Sequence, residues 1–316
     1  MDKEVLRKAL ASHQRLIEIV RRDMLEPEAI RGNDNTLWQT MESSFCVLSR
    51  RYIAASPPIE LFEAEIRDIW CMFTLAAQNI EAHHPAQDRL LRIILGARQR
   101  GVLQRMPKQE AAIPIAEEDV APLNVESQTA HTSQGRVWVD LPFLVQDVRK
   151  AWKKLMEPSA SFAQCCNLTA AIARLAASGV CDNSFSHCGL EIMKQALETR
   201  LTSSSSISNT RAERLALVEI WLSYAKEDLL RLCLATSTYT DPSWASDEQQ
   251  SVGPLAQEAG IDPATACSKE RFAFWKDRLV VMKAEAEDNT SLEARCAHMI
   301  TMVWDDHYGI LPFYRV

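Results

Sequence analysis

The sequence lacks the segments that mark secreted and membrane proteins. Its first residues are charged throughout and contain no continuous apolar stretch of the kind that a signal peptide needs. No run approaches the roughly 18 apolar residues of a membrane span, and the C-terminus FYRV is no lipidation box. Without a signal peptide, nine irregularly spaced cysteines indicate reduced thiols rather than a disulfide framework. We therefore expect a soluble cytoplasmic protein without a membrane span.

Positive charge is also in short supply. The formal net charge is −7 and the isoelectric point is about 5.6. Because an acidic surface repels phosphate backbones, we expect no nucleic-acid partner. One basic cluster interrupts this balance, and we interpret it as a solvated helix face. It comprises Arg89, Arg92, Arg98, Arg100, Arg105 and Lys108.

The alternation of apolar and polar residues that is typical of strands is nearly absent, and apolar residues recur with a helical period instead. Glycine is scarce, with nine residues, and apolar side chains recur at steps of three or four, for example at Phe62, Ile66, Ile69 and Phe73. We predict an all-α fold, a multi-helix globular bundle. The predicted helices lie near 3–23, 35–55, 59–82, 86–100, 142–156, 160–178, 185–201, 211–235, 268–287 and 291–304.

Residues 104–136 differ from the rest of the chain, because three prolines interrupt them and polar residues dominate. This composition predicts a long irregular loop or mobile linker. It divides the chain into an N-terminal helical segment, 1–103, and a C-terminal helical segment, 137–316. We expect the two segments to pack as one globule.

Several catalytic signatures do not occur: GxGxxG, the Walker A loop, HExxH, GxSxG and CxxC. The run from Asp305 to His307 offers three metal ligands, but adjacent side chains on a helix point in different directions. The Cys and His residues of the 181–188 loop do not match the spacing of structural zinc sites. We expect no metal and no cofactor.

Four polar residues are candidate catalytic groups. His84 is a candidate general base that Asp88 would orient, Asp140 a candidate acid, and Arg271 a candidate clamp for an anion or a carbonyl group. The alternative interpretation is structural. His84 and Pro85 would then form a corner between helices, with Asp88 in the first turn of the next helix, and Asp140 would cap the helix that follows it.

Four aromatic residues stand beside ionisable groups: Trp138, Trp221, Tyr224 and Trp275. Aromatic walls with a few polar groups are typical of a pocket for an apolar ligand. Alternatively, these rings belong to the core and bond their polar atoms to the backbone. We predict that the four aromatic residues and the four candidate catalytic residues converge on one interior cavity.

Six short motifs in fixed order resemble those of a family of uncharacterised fungal helical proteins, over about residues 35–300. They are HPAQDRLL (84–91), VWVDLPF (137–143), NLTAAIARL (167–175), WLSYAKEDLL (221–230), GPL (253–255) and KERFAFWKDR (269–278). The chain departs from the family at Thr169, where the family tends to have Asn, and at Ala256 and Phe272, where it tends to have Trp. The resemblance implies a helical fold and a fungal intracellular origin.

Two functions follow as hypotheses. The first is a small-molecule-binding protein or a cofactor-free enzyme of the cyclisation or rearrangement type, which acts in fungal specialised metabolism on an apolar substrate in an aromatic pocket. The second is a helical interaction or scaffold protein without catalysis, which uses its helix faces and the 104–136 loop. The sequence leaves the oligomeric state and the presence of catalysis open.

Overall fold

A computed structural model describes residues 36–55, 58–105, 128–200, 211–238, 251–286 and 290–304, together with Glu4 and Ala11. Within these residues the chain forms ten α-helices, one π-helical turn and seven strands of two to four residues. The all-α prediction is confirmed. The predicted helix at 3–23 and the run from Asp305 to His307 lie outside the described residues, apart from the two single positions.

Apart from the short helix Pro254–Glu258, which was not predicted, the helices begin close to the predicted positions. In chain order, the helices are α1 Thr36–Ala55, α2 Ile59–Asn79, α3 Ala86–Gln99, α4 Leu144–Leu155, α5 Phe162–Ala177, α6 Ser186–Met193, α7 Arg211–Ala235, α8 Pro254–Glu258, α9 Lys269–Ala284 and α10 Thr290–Trp304. The predicted helix 185–201 is shorter than expected, because α6 passes into the π-helical turn Lys194–Glu198 and the chain is extended at Thr199.

The strands form three antiparallel two-stranded pairs among the described residues, β1 with β2, β3 with β4 and β6 with β7. They are β1 Gln104–Arg105, β2 Gln128–Thr129, β3 His131–Thr132, β4 Gly135–Arg136, β5 Val180–Asn183, β6 Ser237–Thr238 and β7 Thr265–Cys267. Such short pairs connect helices and add no sheet layer to the core.

Local sequence signals account for several helix starts. Ser161 accepts a hydrogen bond from the Gln164 backbone N–H at the start of α5, and Ser268 accepts one from Arg271 at the start of α9. Pro254 occupies the first turn of α8, where its missing N–H costs nothing. These caps satisfy backbone donors that would otherwise lack a partner.

The chain divides into two compact units, neither of which is continuous in sequence. Unit 1 comprises residues 1–79 and 89–148, and unit 2 comprises residues 80–88 and 149–316. Our prediction placed the division at 104–136 instead. Residues 128–136 belong to unit 1 as short strands, with Ala130 fully buried and its N–H bonded to the Leu103 carbonyl. Residues 106–127 lie outside the described residues.

The core of unit 1 is built from aromatic side chains of α1, α2 and the loop before α4. The ring of Phe45 meets Trp70 and Trp138 at centroid distances of 5.9 and 5.2 Å. The Trp70 indole donates to the Pro142 carbonyl at 2.7 Å, so its one polar atom is satisfied inside the core.

The core of unit 2 is centred on α5 and α7, which pack closely because α5 is rich in alanine. Helix α6 approaches α7 just as closely at one point. A Cβ atom on Gly189 would lie 2.2 Å from Cε2 of the buried Trp221. Only glycine fits there, so the position of α6 depends on that residue.

Candidate functional site

A buried ion pair occupies the interior of unit 2. Arg271 and Glu198 are both 0% exposed, and the Arg271 Nε atom donates to Glu198 Oε1 at 2.7 Å. Arg271 Nη2 and the Gly253 backbone N–H donate to Oε2 at 3.1 and 2.6 Å, and the Trp275 indole donates to Oε1 at 2.7 Å. The carboxylate thus accepts four hydrogen bonds, about the full capacity of its two oxygens.

The remaining donor group of Arg271 is also engaged by the protein. Its Nη1 donates to the backbone carbonyls of Ala266 at 2.5 Å and Thr265 at 3.0 Å. A buried charge is tolerated only when it is paired and hydrogen-bonded in this way. These contacts favour a structural role for Arg271 and Trp275 over the predicted roles of anion clamp and pocket wall, which stay predictions.

A second polar network surrounds Arg174, a residue that our sequence analysis did not single out. Its Nε atom donates to Asp88 at 2.8 Å, and its Nη1 donates to the carbonyls of Ala82 and Ala170, both at 3.1 Å. The guanidinium lies 3.6 Å above the ring centroid of Tyr224. The arginine therefore joins residues 80–88 to α5 and α7, which explains why this segment belongs to unit 2.

The proposed partnership between His84 and Asp88 is not what the structure shows. The Nδ1 atom of His84 accepts a hydrogen bond from the Ala86 backbone N–H at 3.1 Å, while Asp88 contacts Arg174. Asp88 does stand in the first turn of α3, as predicted. The histidine that meets an aromatic candidate is the exposed His83, whose Nδ1 lies 2.7 Å from the Tyr224 hydroxyl.

Asp140 does not cap α4, which corrects the alternative given above. Its carboxylate accepts hydrogen bonds from the backbone N–H of Arg136 at 2.8 Å and from its guanidinium at 2.8 and 3.0 Å. These side-chain and backbone bonds lower the pKa of Asp140 to about 2. The carboxylate therefore stabilises the turn that follows β4, because it binds both the backbone N–H and the guanidinium of Arg136.

The eight candidate residues thus fall into separate environments within the described residues. Asp88 and Tyr224 meet at Arg174, and Arg271 and Trp275 meet at Glu198. The remaining candidates have other neighbours: Trp138 donates to the Ser49 hydroxyl at 2.9 Å, and Trp221 packs on Gly189. Their convergence on one cavity, and any catalytic role, stay predictions.

The three departures from the family pattern occupy buried positions. The Thr169 hydroxyl accepts a hydrogen bond from the Trp152 indole at 3.0 Å, and both residues are buried. Ala256 packs with Val252 and Ile261, and Phe272 meets Trp275 edge to face. Here these positions serve core packing.

An open groove in unit 1 offers space for a ligand. It has a volume of about 570 Å³ and lies along facing sides of α1 and α3. Its lining combines apolar or small residues with charged ones: Phe45, Ile93, Gly96 and Ala97 on the one hand, and Glu42, Arg89, Arg92 and Arg100 on the other. The spacing of the α3 residues, three or four positions apart, places them on one helix face.

The charges along this groove do not balance. Arg89 lies 3.6 Å from Glu42 and 4.6 Å above the ring of the buried Trp38. The guanidinium groups of Arg92 and Arg100 are exposed and form no hydrogen bond or ion pair with the described part of the chain. Three cations with one carboxylate give the groove a positive surplus on a protein that is acidic as a whole.

Gly96 lies midway between Arg92 and Arg100, in the last turn of α3. A glycine inside a helix costs about 0.5–1 kcal/mol relative to alanine. Gly189 has a packing reason for this cost, whereas a Cβ on Gly96 would meet nothing within 4 Å. The missing side chain leaves space in the groove between the two arginines.

We predicted a solvated helix face for these arginines and did not single out Gly96. The available signal was a glycine near the end of a predicted helix, with an arginine four residues away on either side. This pattern is local and can be found in the sequence, but only the structure shows that the space beside Gly96 is open.

The described residues contain no group of three or more His, Cys, Asp or Glu side chains arranged to hold a metal ion. All nine cysteines are free thiols. Within the same part of the chain, none of the helices combines the length and the apolar character that crossing a bilayer requires.

The chain belongs to the family described as "Protein of unknown function (DUF3632)", whose model matches residues 70–279. It is also similar to "Oxopyrrolidines biosynthesis cluster protein G" of Penicillium oxalicum, with 23% identity over 257 residues. The match covers 77% of this chain and spans 66% of the length of that relative. The predicted membership of an uncharacterised fungal family is confirmed. No solved structure matches the chain.

Proposed function

We propose that this protein binds a small molecule of fungal specialised metabolism in the groove between α1 and α3. The groove itself carries the proposal. Its volume of about 570 Å³ lies within the range of roughly 300–1,000 Å³ that small-molecule sites occupy. The similarity to a biosynthesis cluster protein supports the metabolic context.

The lining suits a ligand with an apolar body and a polar end. Phe45 and Ile93 are buried apolar residues at the groove, and the arginines provide donors at its edge. This combination of apolar walls and a few polar groups orients a ligand. It differs from the predicted aromatic pocket, because Phe45 is the one aromatic ring among the lining residues.

Catalysis remains part of the proposal as a cofactor-free reaction, for which proton transfer would be needed. The exposed pair of His83 and Tyr224, with the Arg174 cation beside the phenol ring, is the best described arrangement of this kind. The groove is proposed for binding alone, and the pair of His83 and Tyr224 in unit 2 is a separate candidate for proton transfer.

The alternative of an interaction protein would require a contiguous apolar surface patch. The exposed large apolar side chains are instead spread over several stretches of the described chain: Val47, Ile53, Ile59, Val102, Leu234, Val280 and Val281. The groove is the better supported site, because it has a volume and a lining that suit a ligand.

A fragment screen by ligand-observed NMR tests the proposal. Gly96→Trp places an indole in the open space of the groove, and we expect it to abolish the binding of most fragments that wild type binds. Val47→Trp is the matched control, because Val47 is 60% exposed on α1 and does not line the groove. Equal binding by wild type and Gly96→Trp would show that the groove is not the site.

A further inference from the structure

We infer that the groove selects an organic acid, with the carboxylate held by Arg92 and Arg100 and the apolar part placed over Gly96 against Phe45 and Ile93. This inference rests on the proposed function and names the ligand class of the same site. It follows from the charge, the open space and the apolar surface of the groove.

The positive charge of the groove favours an acidic ligand. Arg89 is held by Glu42 and stacks on Trp38, so its cation is partly compensated. Arg92 and Arg100 have no such partner among the described residues and line the groove. A guanidinium presents paired N–H donors that match the two oxygens of a carboxylate, which makes an acid the natural counterpart.

The positions of the two arginines relative to Gly96 allow them to contact one carboxylate. Arg92 lies in α3 and Arg100 in the turn that follows its last residue, Gln99. Gly96 stands halfway between them. Two long side chains can reach toward the space over the glycine from both ends, so that one or both can contact a carboxylate there.

The apolar surface separates an organic acid from inorganic anions. Phe45 and Ile93 border the groove, and the small exposed parts of their side chains, 2% and 7%, are apolar. Free phosphate or sulfate would contact the arginines without covering this surface. A molecule with both an acidic group and a hydrocarbon part uses both features at once.

The open position at Gly96 is the independent observation. Alanine has a higher helix propensity than glycine and, at position 96, would meet no neighbouring atom within 4 Å. Stability alone therefore does not explain the glycine. A ligand that lies directly against the α3 backbone does explain it, because any side chain would occupy the space of that ligand.

The test uses two pairs of probes that match in shape and differ in charge: octanoate with octanamide, and naphthoate with naphthamide. Isothermal titration calorimetry measures the affinity of the full chain for each. We expect the acid of at least one pair to bind about tenfold more tightly than its amide, as charge-assisted hydrogen bonds predict. Raised ionic strength should reduce this preference.

Three variants locate the effect. Arg92→Met should remove most of the preference for the acid and leave amide binding unchanged, while Gly96→Trp should abolish both. Arg98→Met is the matched control, because Arg98 lies on the same helix but does not line the groove. It should leave acid binding as in wild type.

The outcomes distinguish the two proposals. Equal binding of acid and amide, both lost in Gly96→Trp, would overturn the assignment of an acid and leave the binding groove in place. A preference that persists in Arg92→Met and in Arg100→Met would also overturn it. If no probe of either pair binds to wild type, both the inference and the proposed binding function fail.

Discussion

The two units contain the same trio of side chains, an arginine, a glutamate and a tryptophan, in contrasting surroundings. In unit 2, Arg271, Glu198 and Trp275 are almost completely buried and joined by hydrogen bonds of 2.7 Å. In unit 1, Arg89 meets Glu42 at 3.6 Å and stacks on Trp38 beside an open groove.

The contrast distinguishes charged groups that stabilise the fold from charged groups that can contact a ligand. Every oxygen of Glu198 is occupied, so the buried trio has no group to offer a ligand. The groove contains two exposed cations, Arg92 and Arg100, that form no ion pair within the described residues and that a ligand can contact. Burial and saturation therefore argue for stability, whereas exposure next to a shaped void argues for binding.

Two arginine-to-alanine variants should differ most in their free energy of unfolding. Arg271→Ala leaves the Glu198 carboxylate buried without its cation, and we expect the free energy of unfolding to fall by about 3–5 kcal/mol. Arg92→Ala removes an exposed side chain and should change it by less than about 0.5 kcal/mol. Urea denaturation followed by circular dichroism measures both. Similar values for the two variants would contradict the contrast between the regions.

Two glycine-to-alanine variants within helices should show a smaller difference in the free energy of unfolding. Gly189→Ala forces a Cβ against the Trp221 indole, and we expect a loss of about 1–3 kcal/mol. Gly96→Ala meets no atom within 4 Å and should gain about 0.5–1 kcal/mol from helix propensity. The same denaturation experiment shows whether each variant gains or loses free energy of unfolding. A loss in Gly96→Ala would mean that the position is packed, and the groove would then be closed.

The smallest effect concerns the exposed pair of Asp140 and Arg136. The folded-state pKa of Asp140, about 2, is below its ordinary value of 3.8. The stabilisation is therefore fully present above about pH 4 and is lost as the pH falls through the folded-state pKa. Because the Asp140 side chain is 35% exposed, solvent screening limits the contribution to about 1 kcal/mol.

Asp140→Asn tests this pH dependence. We expect it to lower the free energy of unfolding by about 1 kcal/mol at pH 6, with the difference shrinking toward zero near pH 2. Glu157→Gln is the control, since Glu157 is exposed and its side chain forms no ion pair within the described residues. A difference for Asp140→Asn that stays constant from pH 6 to pH 2 would show that the carboxylate does not stabilise the fold through its charge.

Helix positions followed from the sequence because their cause is local. The apolar side chains of α7 recur at helical steps, and the predicted range 211–235 coincides with the observed helix. The stretch 185–201 was less accurate, since a π-helical turn replaces the expected end of α6. That turn carries Glu198 into the interior, where its bonding partners come from residues 253–275.

The candidate site was predicted less well, and for a related reason. His84 and Asp88 are close in sequence, which suggested a pair, yet Asp88 contacts Arg174, 86 residues further along the chain. Tyr224 likewise meets His83 across 141 residues. Sequence proximity indicates shared local structure, but it does not reveal which distant side chain satisfies a charged group.

Most helices of the described residues could be located from the sequence, because the hydrophobic period and the capping residues act over a few positions. The role of each arginine, in contrast, depends on its tertiary contacts. Arg271 and Arg92 look alike in the sequence, each on an amphipathic stretch among other charges. The difference arises from distant partners: Glu198 lies 73 residues from Arg271 and neutralises it in the core, while packing of α3 beside α1 leaves Arg92 at an open groove.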